Sequence, residues 1–129
     1  MTNMLEGVIR EGTGKKARVI QQPIAGKTGT TNDYKDALFI GFSPSIAAGV
    51  WVGQDAFKTL GEWETGAKAA LPIWIEFMRN APAKTPFQYF DIPDNVVKVR
   101  MNPLTGRLAP DDSPDAVSAL FKQGTEPSR

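Results

Sequence analysis

The chain has 129 residues, enough for one moderate core, and its 15 Lys+Arg nearly cancel its 14 Asp+Glu, so composition offers no basic footprint for nucleic acid. With no His and no Cys it excludes Ser-His-Asp and Cys-His catalysis, HExxH and cysteine-based zinc sites and any disulfide, leaving Ser, Thr, Lys and carboxylates as its chemistry. Hydrophobic residues make up 41%, yet no apolar run nears the roughly 18 residues of a spanning helix, and the start MTNMLEGVIR lacks a secretory signal's basic-then-apolar pattern.

In chain order, Met4, Leu5, Val8 and Ile9 fall on one stripe, predicting a helix over 2–11 with Thr2 as its cap and Gly12 and Gly14 as its stop. Lys15, Lys16 and Arg18 read as a solvated loop. The segment from Val19 then runs into Ala25-Gly26-Lys27-Thr28-Gly29-Thr30-Thr31, where threonines favour a strand and two glycines permit close backbone approach. Thr31 to Asp36 is turn chemistry. Leu38, Ile40 and Phe42 alternate against Phe39 and Gly41, and Ile46, Ala48, Val50 and Val52 against Ala47, Gly49 and Trp51, predicting two more strands. Neither link is long enough for a parallel crossover, so the expectation is an antiparallel meander in the order 1-2-3. Alternation within each strand suggests Phe39 and Trp51 on one face, with Leu38, Ile40 and Val50 on the other.

After a polar loop from Gln54 to Gly66, Ala67, Ala70, Leu71, Trp74, Ile75 and Met78 recur at helical spacing. Ile73 and Phe77 broaden that stripe almost all round, which predicts a buried helix that Pro72 either kinks or begins. Trp74 and Phe77 read as core packing rather than an aromatic ligand box. From Ala81 the texture changes, because seven of the ten prolines lie in the last 49 residues, so the chain divides into a 1–80 portion and an 81–129 tail. In that tail Val97, Val99 and Met101 alternate with Lys98 and Arg100. Asn102 to Gly106 offers a turn and Arg107-Leu108-Ala109 a return strand, while Ala116 to Phe121 reads as one helical turn.

Gly26-Lys27-Thr28 has the last three residues of a P-loop, but the first glycine of that motif would fall at position 21, where Gln21 stands, and Pro23 interrupts the loop. Lys27-Thr28-Gly29 has a second meaning, as one of three active-site motifs of penicillin-binding proteins and class A β-lactamases, beside S-x-x-K and S-D-N. The physical logic is direct. A lysine ammonium and the Thr28 and Thr30 hydroxyls can hold a carboxylate, and Gly29 removes a side chain where a substrate backbone must approach. An extended peptide can add alongside the strand, and a backbone N–H there can stabilise a tetrahedral oxyanion.

The flanks extend the likeness: Ala25 to Asp33, Asp36 to Pro44 and Val50-Trp51-Val52-Gly53 resemble the C-terminal part of the transpeptidase domain of class A penicillin-binding proteins. Met4 to Gly14 and Pro72 to Met78 are similar to the helices on either side of the motif strand and sheet. Val97 to Ala109 and Gly124-Thr125-Glu126-Pro127 are similar to the terminal segments. The resemblance implies an α+β fold of the β-lactamase/transpeptidase kind, with the meander forming part of a five-stranded sheet with flanking helices. It also implies a ligand, a peptidoglycan stem peptide ending in D-Ala-D-Ala or a β-lactam imitating it. Lys27, Thr28, Gly29 and Thr30 would bind it, with the Thr30 N–H in the oxyanion hole.

Ser43, Ser45, Ser113, Ser118 and Ser128 are the only serines, none has Lys three residues later, and the S-x-N motif is absent. The resemblance therefore implies one wall of an active site, with the nucleophile, the glycosyltransferase domain and the membrane anchor upstream, at the periplasmic face of the bacterial inner membrane. Asp33 and Asp36, near the motif, read as local turn caps. No metal or organic cofactor is implied. Rival readings are a non-catalytic peptide- or wall-binding module, and a structural fragment. Apolar groups on both sheet faces lead to the expectation of an upstream segment or self-association covering one of them.

Overall fold

Helix α1 spans Thr2–Arg10 in the computed structural model of the chain, which describes residues 1–81 and 87–128. Its buried contact is Ile9, while Met4 of the expected stripe is 67% exposed, and Met1 rather than Thr2 stands at the cap position with its carbonyl accepting the Met4 and Leu5 amides. Thr2 lies one position inside the helix, past the point from which a capping side chain accepts a first-turn amide. Gly12 and Gly14 end it: a Cβ at Gly12 would collide with the Val8 backbone, and one at Gly14 would lie 2.8 Å from the Ile9 side chain. The basic patch forms a short 3-10 turn, Lys15–Val19, that buries Ala17 and leaves Lys15, Lys16 and Arg18 in solvent.

The three strands are β1 (Ala25–Thr30), β2 (Asp36–Phe42) and β3 (Ala47–Gly53), antiparallel in the order β1-β2-β3. Ser43 closes the second hairpin: its hydroxyl accepts the Ile46 amide at 3.1 Å and its own N–H donates to the Ile46 carbonyl at 2.8 Å. That turn sets the register, pairing Phe42 with Ala47, Phe39 with Val50 and Leu38 with Trp51. Directly paired residues share a face. Trp51 therefore stands with Leu38 and Ile40, and Val50 with Phe39, the reverse of what alternation within separate strands suggested. The missing information was the phase between strands, which the 43–46 turn supplies.

Helix α2, Leu71–Asn80, is preceded by a π-helical turn, Gly66–Ala70, and Pro72 sits in its first turn, where a missing N–H costs nothing. Leu71, Trp74 and Met78 point inward, and with Ile9, Ala17, Ile20, Ile24, Phe39 and Ala70 they form the core over one face of the sheet. Each fully buried large side chain there contributes about 1.5–3 kcal/mol. The Trp74 ring meets Phe39 edge-on at 4.9 Å, packs on Gly41 where a Cβ would lie 2.7 Å from it, and donates its indole N–H to the Ala48 carbonyl at 3.0 Å. Ile73 and Phe77 are about half exposed, at 52% and 49%, so α2 is buried on one side only. Width of apolar stripe overstated burial because a single sheet face touches only a third or so of a helix.

Contacts divide the chain into the unit Met1–Phe90 described so far and a second, Asp91–Arg129; the change of composition falls earlier, and Pro82 and Pro86 lie outside the described residues. The second unit is a two-stranded antiparallel sheet of β4 (Val96–Met101) and β5 (Val117–Lys122). Its partner strand is thus the segment that resembled a helical turn. Val117, Ala119 and Phe121 keep a period of two and pair with Met101, Val99 and Val97 to make one apolar face. Leu108 forms a single bridge to Met101 and the Ala109 amide donates to the Arg100 carbonyl, so the expected return segment does meet β4, on the edge away from β5. Asn102 builds that turn by accepting the Leu104 and Thr105 amides on its side chain. The chain is α+β, with antiparallel sheets. Among the described residues no helix is long and apolar enough to cross a membrane.

Candidate functional site

Strand β1 lies at one edge of its sheet, and which of its backbone groups are free follows from one bond. The Thr31 amide donates to the Asp36 carbonyl at 3.0 Å, which makes that pair a bonded one. Bonded and non-bonded pairs alternate along an antiparallel ladder. Gly29 with Leu38 and Lys27 with Ile40 are therefore bonded pairs, whereas Thr28 opposite Phe39 and Thr30 opposite Ala37 are not. The N–H and C=O of Thr28 and Thr30 consequently point away from β2, toward the open edge.

Lys27 projects from the face opposite the core and is exposed, yet its side chain turns round the strand. Its Nζ donates to the Thr28 carbonyl at 3.0 Å and to Thr28 Oγ1 at 3.2 Å. Thr28 Oγ1 also lies 2.8 Å from Thr13 Oγ1, contributed by the loop after α1. An ammonium and two hydroxyls thus meet beside the free edge, a donor set suited to a carboxylate. Thr13 was not singled out from the sequence; the Gly12-Thr13-Gly14 turn that carries it was visible only as a helix stop.

Thr30 is tied differently. Its hydroxyl accepts the Gly66 amide at 3.1 Å, so the start of the π-helical turn is fastened to the motif strand. Gly66 packs so closely on the Gly29 and Leu38 carbonyls that a Cβ there would overlap both. The Thr30 side chain is therefore a structural tie as well as a neighbour of the edge, while its backbone N–H stays available. Of the nearby carboxylates, Asp36 accepts the Trp51 indole N–H at 3.0 Å and a bond from the Thr31 hydroxyl, which is local bracing. Asp33 faces Lys35 at 3.9 Å.

Beyond Thr30 the backbone turns through a short 3-10 segment, Asn32–Tyr34, in which Asp33 and Tyr34 both adopt left-handed conformations, at φ 62° and 52°. The 54–65 loop folds against it, with the Leu60 amide on the Tyr34 carbonyl and the Lys35 ammonium 4.8 Å above the Phe57 ring. Together they leave a shallow depression at the end of β1, lined by Thr30, Thr31, Asn32, Asp33, Lys35 and Phe57. Among the described residues no group of His, Cys, Asp or Glu is placed to hold a metal ion.

Comparison with known proteins decides the family. The model of the penicillin-binding protein 1A C-terminal domain matches residues 92–129. Penicillin-binding protein 1A of Aquifex aeolicus is 45% identical over 125 residues, 97% of this chain and 17% of that protein. The Pseudomonas aeruginosa penicillin-binding protein 1A is 44% identical over 130 residues, 99% of this chain and 16% of that one. The crystal structure of penicillin-binding protein 1A from Haemophilus influenzae superposes with a TM-score of 0.87 at 33% identity, covering 99% of this chain and 20% of that chain. The chain belongs to the penicillin-binding protein 1A family. It spans about a sixth of the curated relatives' length. The penicillin-binding protein 1A likeness takes in both units, since the structural match and the two relatives cover nearly every residue.

Proposed function

We propose that this chain is the motif-strand portion of a peptidoglycan D,D-transpeptidase and that it supplies the substrate clamp but not the nucleophile. The observation that carries the reading is the open edge of β1, where the edge-facing N–H groups of Thr28 and Thr30 adjoin the Lys27 ammonium and the Thr28 hydroxyl. A stem peptide ending in D-Ala-D-Ala lies along that edge as an added strand. Its terminal carboxylate meets Lys27 and Thr28, Gly29 leaves room for its backbone, and the Thr30 N–H donates to the oxygen of the penultimate D-Ala carbonyl.

In the whole enzyme a serine from upstream attacks that carbonyl carbon, passing its proton to a neighbouring lysine. The oxyanion so formed is held by backbone N–H groups, Thr30's among them, and collapses to expel D-Ala and leave an acyl-enzyme. An amine of a second stem peptide resolves the ester, restoring the serine. A β-lactam acylates the same serine because its ring amide and carboxylate occupy the same two positions. The glycosyltransferase domain and membrane anchor belong to the upstream part, which places this chain at the periplasmic face of the inner membrane. There the three strands join a five-stranded sheet, with the added strands on the outer edge of β3.

The test is fluorescent-penicillin labelling on a denaturing gel, with the upstream portion of a relative supplied as a separate polypeptide. Label on the upstream polypeptide only when this chain is present supports the reading. A covalent band on this chain, or upstream labelling that does not depend on it, overturns it.

A further inference from the structure

Thr13 has no task in the clamp just described, yet its hydroxyl lies 2.8 Å from that of Thr28, nearer than the Lys27 ammonium at 3.2 Å. The turn that carries it is held on both sides. The amides of Gly12 and Gly14 both donate to the Val8 carbonyl, at 3.0 and 3.1 Å, which closes the end of α1. Beyond Thr13 the Lys15 amide donates to the Gly12 carbonyl and the Ala17 amide to the Gly14 carbonyl. With glycine before and after it, Thr13 is the one side chain that this turn presents between Glu11 and Lys15, and it is presented to the motif strand.

Counting protons gives the contact a direction. A hydroxyl has one proton to donate and two lone pairs with which to accept, whereas an ammonium only donates. Lys27 therefore fills one lone pair of Thr28 Oγ1. Two arrangements of the threonine pair remain. In one, Thr28 spends its proton on Thr13. In the other, Thr13 donates and fills the second lone pair, so that the Thr28 proton is the one bonding position of that hydroxyl left over. A carboxylate only accepts, so a clamp that uses the Thr28 hydroxyl requires the second arrangement. Thr28 then receives two donors and gives to an anion, a chain of hydrogen bonds in which each member polarises the next.

We infer, resting on the clamp proposed above, that Thr13 is a positioning residue: it donates to Thr28 and so directs the Thr28 proton at the carboxylate of the ligand. Thr13 acts through Thr28 and does not itself touch the ligand. Thr13→Val keeps the shape of the side chain but empties a lone pair on Thr28 and lets that hydroxyl rotate off the carboxylate. Thr13→Ser keeps the donor.

The experiment uses a chimera in which this chain replaces the matching region of the Pseudomonas aeruginosa penicillin-binding protein 1A. Acylation rates are measured for benzylpenicillin and for its methyl ester, which lacks the carboxylate, and their ratio is taken within each protein, so a partly folded variant still reports. Thr13→Val is expected to lower the ratio about fivefold, the worth of one hydrogen bond. Thr13→Ser should keep the parent ratio. Thr28→Val should lower the ratio at least as far, and adding Thr13→Val to it should lower the ratio no further. A ratio unchanged by Thr13→Val means a purely structural contact and overturns the inference. A ratio that Thr13→Ser lowers as far as Thr13→Val does, or that falls again when Thr13→Val is added to Thr28→Val, overturns it too, the last because Thr13 would then meet the carboxylate directly. A parent chimera that acylates equally with acid and ester removes the clamp reading, and the inference with it.

Discussion

The two faces of the β1-β2-β3 sheet, built from alternate residues of the same strands, are opposites. One carries Ala37, Phe39, Gly41 and Val50 and is sealed by Trp74, Leu71 and Met78, with Phe39 and Trp74 fully buried. The other carries Lys27, Leu38, Ile40 and Trp51, of which Ile40 and Trp51 are 59% and 57% exposed. What differs is not hydrophobicity, since Ile40 and Trp51 are as apolar as their neighbours, but the presence of a helix at the right distance. An apolar face left open beside a charged, edge-facing lysine is the face that the proposed upstream portion would cover.

The largest expected effect attacks the sealed face. Trp74→Ala removes the ring that covers Phe39 and Gly41 and strands the Ala48 carbonyl, so a loss of about 3–5 kcal/mol is expected. It would be read as a drop in the urea midpoint of the chain assembled with its upstream portion; an unchanged midpoint contradicts the core described above. Next is Gly66→Ala, whose methyl group collides with the Gly29 and Leu38 carbonyls and pushes the π-helical turn off the motif strand. Overpacking of this kind costs about 1–3 kcal/mol, and the tie from Gly66 to Thr30 predicts that penicillin acylation slows as well.

Lys27→Met separates function from stability. Lys27 touches nothing in the core, so the urea midpoint should hold, while β-lactam acylation of the assembled enzyme falls about a hundredfold if its charge clamps the carboxylate. Equal acylation by the variant and its parent removes Lys27 from the clamp. The smallest effect sharpens the contrast between the faces. Ile40→Thr in the isolated chain should shift stability by no more than about 0.5 kcal/mol. In the assembled enzyme the same change should cost more if the upstream portion covers this face, and an identical small shift in both states says that nothing covers it. A cooperative, monomeric melt of the isolated chain would likewise argue that the open face needs no partner.

Much of this organisation is legible in the residues themselves. Strand periodicity, two short links and the Ser43-Pro44-Ser45 turn define the meander, and Lys27-Thr28-Gly29 with its flanks marks the motif strand. What the residues do not display is anything set by phase between elements. Trp51 was placed with Phe39 because alternation fixes sidedness within a strand, and only the hairpin register relates one strand to the next. Ala116 to Phe121 reads as one helical turn because Ala, Leu and Phe are common to both periodicities over so few residues; the pairing of Val117–Lys122 with β4, from Val117 opposite Met101 onward, is a tertiary fact. At the site, Thr13 and Gly66 act through distant contacts with Thr28 and Thr30, and neither sits in a motif that announces it.

The way Lys27 leaves its strand has a further consequence. A bare strand edge invites any extended chain to pair with it, including the same edge of a second molecule. Here the ammonium is drawn back over the Thr28 carbonyl, so a passing strand must cross a positive charge that it has nothing to neutralise. A chain that ends there, with its own carboxylate, meets the same charge as an attraction. On the proposed reading, one side chain would make the edge a reader of chain termini, turning away the interior of a polypeptide and admitting a free end.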